Sequence, residues 1–355
     1  MAGRPNRESE LLMTNLNFKN AIQRIEQPTP PIWMMRQAGR YHSHYRKLRE
    51  KHSFMELCKV PELAAEVAYG PMAEFDFDVS ILFSDLLFPL EALGFGLEYT
   101  DEGPRLGFSF TPDRFRELNP VDVAIEKLRF QAQALKLTRE RIGKNKSLIG
   151  FVGGVFTLFV YAIEGGHAGQ LINTKKLLRQ SENFLERLHA LLVQNVKLQL
   201  DAGAEVVMVF DTAAGELSPL DFQTYVQPWL AKLAHEFPNR LGYYSKGTQS
   251  SFFDSNLWRE IPWAGQGYDH RWNLAKEMSR GLGSRGFIQG NFDQSLLHLE
   301  PSEFRKTLLT YLEPYLRLSS LERKGWVCAL GHGVLPKTPE QNVKYFVEFV
   351  RKTFV

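Results

Sequence analysis

Cysteine is nearly missing from this chain: only Cys58 and Cys328 occur in 355 residues. Neither sits in a C-x-x-C or metal-type spacing, so a disulfide framework and a thiolate metal site are not expected, and the usage fits a reducing, cytoplasmic compartment. Long hydrophobic runs are absent too. No window approaches the roughly 18 consecutive apolar residues of a membrane span, so no membrane association is expected. The start, MAGRPNRESELLMTNLN, is polar and has no apolar signal core. It reads as a flexible tail over residues 1–17, with Met13 as an alternative start. No G-x-G-x-x-G follows a first strand, which removes the usual dinucleotide-binding turn. No His-x-x-x-His or His-x-Cys occurs either, so neither a metal nor an organic cofactor is expected.

What is present is a focused charge. The net charge is only +3, yet residues 31–60 hold Arg36, Arg40, Arg46, Lys47, Arg49, Lys51 and Lys59 against Glu50 and Glu56, a local net of +5. The other 325 residues therefore carry −2. A concentrated basic patch attracts an anion. No recognition module or basic tail accompanies it, so a polyanionic small molecule is favoured over nucleic acid.

Eight short apolar runs end in turn or cap residues: 31–36, 79–85, 148–154, 204–211, 241–246, 263–269, 286–291 and 326–333. Amphipathic helical stretches separate them, at about 61–75, 121–142, 174–202, 218–237, 301–318 and 338–352. Near-continuous apolar strands alternating with helices imply a parallel sheet covered by helices. Eight such units predict one (β/α)8 TIM-type barrel over residues 18–355. Residues 88–110 read as a hairpin inserted after the second strand, with an Asp-Glu-Gly turn.

In such a barrel the site lies at the carboxyl ends of the strands. That rim holds Arg36 and Arg40, Asp85, Asp211 with Thr212, Ser245 with Lys246, Asp269, Asn291 with Asp293, and His332, while Tyr161 follows the third run by a turn or two. Each has a plainer reading. An arginine pair is often a surface ion-pair feature, but two guanidinium groups ending an apolar run, beside Gly39, suit bidentate carboxylate binding. Asp85 in LFSDLLF is either a helix cap or a desolvated carboxylate that any nearby cation feels strongly. His332, between two glycines, is either structural or a ligand contact. Ser245 and Thr212 lack a nucleophile elbow, and Lys246 is a weak candidate for imine chemistry.

With these residues in place the sequence resembles the uroporphyrinogen decarboxylase family from about residue 18 to the C-terminus. The most specific piece is PIWMMRQAGRY (31–41), followed by YRKLRE. FSDLL (83–87), FTLFVYAIEGG (156–166), QGNFD (289–293) and LGHGVLP (330–336) follow in the family order. The resemblance implies a cofactor-free, metal-free homodimer that removes the four acetate carboxyl groups of uroporphyrinogen as carbon dioxide, giving coproporphyrinogen for haem synthesis. Carried across by motif, Arg36, Arg40 and Arg49 would bind substrate carboxylates. Asp85 would face the pyrrole NH groups, and Tyr161, Thr212 and His332 would contact carboxylates around the rim. Asp85, Arg36 and Tyr161 are the expected catalytic set. Two other classes compete: barrel-related zinc or corrinoid methyltransferases, and a tetrapyrrole binder without activity. The chain also departs from the family pattern. Thr212 replaces a serine, His42-Ser43-His44 replaces Leu-Pro-Glu, Val155-Phe156 replaces Ala/Pro-Trp, Ala329 replaces an asparagine, and GYDHRW differs from GLDW. These changes bear on preference between porphyrinogen isomers.

Overall fold

The computed structural model describes residues 15–100, 103–166, 169–281 and 285–355. Seven of the eight apolar runs become parallel strands. With a hairpin counted in chain order, these are β1 (Val79–Ile81), β4 (Ser147–Gly153), β5 (Val206–Asp211), β6 (Leu241–Ser245), β7 (Gly265–Gly267), β8 (Phe287–Phe292) and β9 (Trp326–Leu330). They pair in the order β1-β4-β5-β6-β7-β8-β9, each parallel to the next. Helices follow the strands, as the periodicity requires. Pro61–Glu74, Arg129–Arg141, Glu182–Asp201, Gln227–Glu236, Pro301–Leu316 and Glu340–Thr353 are the principal ones.

The first run, 31–36, behaves differently from the expected strand. It makes one parallel bridge, Ile32 to Cys328. Pro31 has no N–H to offer a ladder, and the Ile32 N–H is taken by the Asp78 carboxylate at 2.7 Å. The segment still closes the ring. The Cys328 N–H donates to the Pro31 carbonyl on one side, and the Asp78 N–H donates to the Ile32 carbonyl on the other, both at 2.9 Å. The sheet is thereby curled into a TIM-type barrel with an irregular eighth stave.

Alternation along each strand divides two cores. Val206, Met208 and Phe210 point into the barrel with Val79, Ile149, Tyr244, Phe287 and Val327. Val207 and Val209 point out to the helices. Space inside is tight: a Cβ on Gly265 would lie 2.2 Å from the Phe287 ring, and one on Gly242 would lie 2.3 Å from the Met208 sulfur. Glycine at these two strand positions makes room for the larger neighbours.

The helix Leu16–Gln23 plugs the amino-terminal end, burying Phe18 and Ala21 against that inner core. Of the expected tail, residues 1–14 lie outside the described residues, and Leu16 and Asn17 belong to this helix, capped by the Asn15 side chain. The second sheet is antiparallel: β2 (Leu97–Thr100) pairs with β3 (Gly103–Leu106), Leu97 opposite Leu106. It stands between β1 and β4 in the chain. Asp101 and Glu102 of the anticipated turn lie outside the described residues.

Candidate active site

The loop carrying the arginines begins where the irregular stave ends. Arg36 takes a left-handed conformation, φ 59°, and the turn around it is pinned on several sides. The Gln37 N–H donates to the Met34 carbonyl at 3.0 Å. The Gln37 side-chain amide reaches the Val79 carbonyl at 3.1 Å, and the Tyr41 hydroxyl donates to the Gln37 carbonyl at 2.8 Å. The loop after β9 locks onto it: Val334 N–H donates to the Met35 carbonyl at 2.9 Å. The Arg36 stem lies so close to Gly333 that a Cβ there would meet Cδ at 2.5 Å. Glycine beside His332 is thus required by the arginine, which joins the first motif to the last.

Among the described residues, neither the Arg36 nor the Arg40 guanidinium lies within ion-pair distance of a carboxylate. Both are exposed at the strand-end rim. Arg49, also exposed, hydrogen-bonds the His52 carbonyl and interacts with the Tyr45 hydroxyl and the buried Cys58.

Asp85 follows β1. Its Oδ1 accepts the Leu87 N–H at 2.9 Å, so the plainer reading as a local turn-former holds in part. The apolar setting dominates its electrostatics. Burial raises the carboxyl above the usual range, opposed by the Leu87 N–H, the Tyr99 hydroxyl and the Arg36 charge. Tyr161, from the helix Val155–Glu164 after β4, senses both Asp85 and Arg36; burial and then Asp85 raise its phenol. Arg36, Asp85 and Tyr161 therefore form one electrostatic group.

His332 joins them through a residue absent from the sequence expectation. The Tyr244 hydroxyl donates to the Gly331 carbonyl at 2.8 Å, and His332 Nδ1 lies 3.0 Å from the same oxygen. With its proton committed, the hydroxyl oxygen is placed to accept from Nδ1–H. The two rings stack at 5.9 Å and 12°, and Arg36 is among the charges acting on Tyr244. The signal for Tyr244 was available: it shares the inward register of β6, where a phenol must find a partner. Tyr99 carried no comparable signal.

Thr212 stands half-buried at the end of β5, and among the described residues no hydrogen bond or ion pair ties it to the Asp85 group. Arg40 likewise shares only the rim. The remaining rim residues are engaged elsewhere. Asp211 Oδ1 accepts Thr157 N–H and Oγ1–H at 2.9 and 2.6 Å, and burial pushes its carboxyl up to about 6. Asp269 holds Gly247 N–H and Arg271. Asn291 donates to the Asp269 and Trp272 carbonyls, Ser245 pairs with Thr248, and Asp293 caps the turn at Ser295. These bonds shape the loops after the strands.

Among the described residues one His/carboxylate group has donor atoms within 4.8 Å of one another: His42, Glu74 and Glu340. Linear spacing does not reveal it, because three distant segments contribute. Its charges already have partners. His42 Nε2 lies 2.7 Å from Glu74, while Glu340 accepts Ser43 N–H at 2.6 Å and pairs with Arg46 at 3.4 Å. The group works as a clasp that holds residues 42–46 against two helices.

A family model described as uroporphyrinogen decarboxylase (URO-D) matches residues 13–353. The chain belongs to the uroporphyrinogen decarboxylase family. Among curated relatives, the uroporphyrinogen decarboxylase of Myxococcus xanthus is 34% identical, covering 95% of this chain and 96% of that protein. That of Chloroflexus aurantiacus is 35% identical, covering 94% and 95%. Among solved structures, a methyltransferase from Methanosarcina mazei superposes with a TM-score of 0.79 at 17% identity, covering 96% of this chain and 99% of that one. At that identity the likeness is one of fold, and the methyltransferase reading gains nothing from it. No helix among the described residues is long and apolar enough to cross a membrane.

Proposed function

We propose that this chain is a uroporphyrinogen decarboxylase, a carboxy-lyase that removes the four acetate carboxyl groups of uroporphyrinogen III to give coproporphyrinogen III in haem biosynthesis. The observation that carries the reading is the Arg36–Asp85–Tyr161 group at the strand-end rim. It puts a guanidinium with no carboxylate in ion-pair distance among the described residues near a desolvated carboxylate, inside a family match over nearly the whole chain.

The residue types suit the reaction. Losing carbon dioxide from an acetate leaves an electron pair that needs a sink. Protonation of the adjacent pyrrole carbon turns the ring into that sink, so the substrate supplies it. Asp85, as the anion, stabilises the cationic ring, a charge-stabilising role worth most where water is excluded. Arg36, Arg40 and Arg49 bind substrate carboxylates, while Tyr161, Thr212 and His332 contact others around the rim. His332 is held in place by the Tyr244 hydroxyl. The protein works in the cytoplasm as a homodimer, and residues 18–355 form one catalytic unit.

The deciding experiment is anaerobic incubation of pure protein with enzymatically made uroporphyrinogen III, followed by a count of product carboxyl groups. Conversion from eight carboxyls to four is expected. Tight binding with all eight retained would overturn the reading in favour of a binding protein. Light scattering in the same buffer tests the dimer.

A further inference from the structure

Tyr99 lies in β2, outside every motif that drew attention to the site. Along that strand Leu97 is buried, Glu98 exposed, Tyr99 half-buried and Thr100 exposed, so the period of two turns Tyr99 toward the barrel body. Its ring packs on Phe54 at 4.5 Å. Its hydroxyl is fully buried and has no well-aligned hydrogen-bond partner among the described residues, although the Asp85 carboxylate lies within reach of a side-chain bond. Burying a phenol without a partner is unfavourable. The Asp85 carboxylate is the acceptor that acts on it.

We propose that Tyr99 is a positioning residue for Asp85: its hydroxyl donates to the carboxylate, fixes its orientation and holds it as the anion within its apolar surroundings. The inference rests on the reading of Asp85 as the charge-stabilising group. Four groups from four elements face that carboxylate: Arg36 from the loop after residue 35, Cys58 from the helix Phe54–Lys59, Tyr99 from β2 and Tyr161 from the helix after β4. Arg36 is the cation among them, and it is also the group expected to turn toward substrate. Tyr99 supplies a neutral donor that stays in place when Arg36 is engaged. Tyr99 is not itself the proton source. Burial and the adjacent Asp85 push its phenol far above the usual range, which makes it a poor acid and a durable donor.

The test is Tyr99→Phe, which keeps the ring against Phe54 and removes only the hydroxyl. Without the donor the Asp85 carboxyl titrates higher, so the acidic limb of the kcat profile is expected to move up by about one pH unit, or about tenfold in rate on that limb. KM is expected to change little. In parallel, the Asp85 carboxyl is titrated directly by infrared difference spectroscopy, with Asp85→Asn identifying its band, and is expected to shift the same way. Thermal unfolding near the parent temperature establishes that the variant is folded. A rate profile and carboxyl titration that superimpose on the parent, with Asp85→Asn inactive, would overturn the role of Tyr99 alone. If Asp85→Asn keeps its turnover, the reading of Asp85 fails instead. The infrared titration then decides the Tyr99 contact: an upward shift sustains it and an unmoved band rejects it.

Discussion

The two ends of the barrel bury charge in opposite ways. At the amino-terminal end, Asp78 accepts the Ile32 N–H at 2.7 Å, the Asn15 side chain at 3.1 Å and Arg351 at 2.9 Å. Glu205 there accepts Ser147 Oγ–H at 2.6 Å and lies 3.6 Å from Arg139. At the carboxyl-terminal end, Asp85 has one backbone N–H, and Arg36 and Arg40 have no carboxylate within ion-pair distance among the described residues. A buried charge costs little once it is fully paired and a great deal when it is not. The first end therefore commits its charges to the chain itself, where removing one partner would strand the others, although burial still raises the Asp78 carboxyl above the usual range. The second leaves its charges open to a ligand that brings the missing partners.

The largest effect should come from the open end. Asp85→Asn keeps size and fold, and turnover is expected to fall on the order of 10²–10³. A rate within threefold of the parent in a steady-state assay would erase the contrast at its centre.

At the closed end the matching change should damage the fold and spare the chemistry. Asp78→Ala leaves the Ile32 N–H without its acceptor and reduces Arg351 to its contacts with the exposed Asp76, and a loss of about 3 kcal/mol in denaturant unfolding is expected. Turnover per folded molecule should stay within about threefold, because Asp78 lies at the far end of the strand from the rim.

Asp211 sharpens the comparison, since it sits at the open end yet is bonded like a closed-end residue. Its folded carboxyl is raised to about 6 by burial, against about 3.9 in an unfolded chain. The native state thus binds the extra proton, and this group's contribution to stability is fully present below about pH 4. It is lost as pH rises through about 6, by roughly 3 kcal/mol in all. Asp211→Asn should flatten that part of the stability–pH curve in urea titrations across the same window.

The smallest effects concern the exposed arginines. Arg36→Lys and Arg40→Lys keep the charge and lose the planar fork, so kcat/KM is expected to fall about tenfold in each. Raised salt should weaken substrate capture further in the parent enzyme, because exposed steering charges are screened. Unchanged kinetics in both variants, with no salt effect, would remove carboxylate binding from the open end.

Much of this was legible in one dimension because periodicity and motif are local. Apolar runs broken by caps report strands whatever they later pair with, and seven of the eight expected staves are regular strands. The eighth slipped because Pro31 and the Asp78 side chain remove the ladder donors at its start, and Asp78 lies 46 residues away. The rim reading named Arg36, Asp85, Tyr161 and His332, which the fold gathers into one electrostatic neighbourhood. It also collected Asp211, Asp269 and Asn291, whose bonds to Thr157, Gly247 and Trp272 show them holding loops. A carboxylate's neighbours decide whether it shapes a loop or meets a substrate, and those neighbours come from other parts of the chain.

By itself the sequence determined the strand and helix periods, the focused basic segment, the want of long apolar runs, and the motifs that name the family. All are properties of neighbouring residues. Only the tertiary structure decided which charges stay open. It set the Arg36 stem against Gly333, brought the Tyr244 hydroxyl between Gly331 and His332, turned Tyr99 of the hairpin toward Asp85, and joined His42, Glu74 and Glu340 into a clasp. Desolvation and pairing depend on what the fold packs around a group, and closing the barrel brings residue 36 beside residue 333.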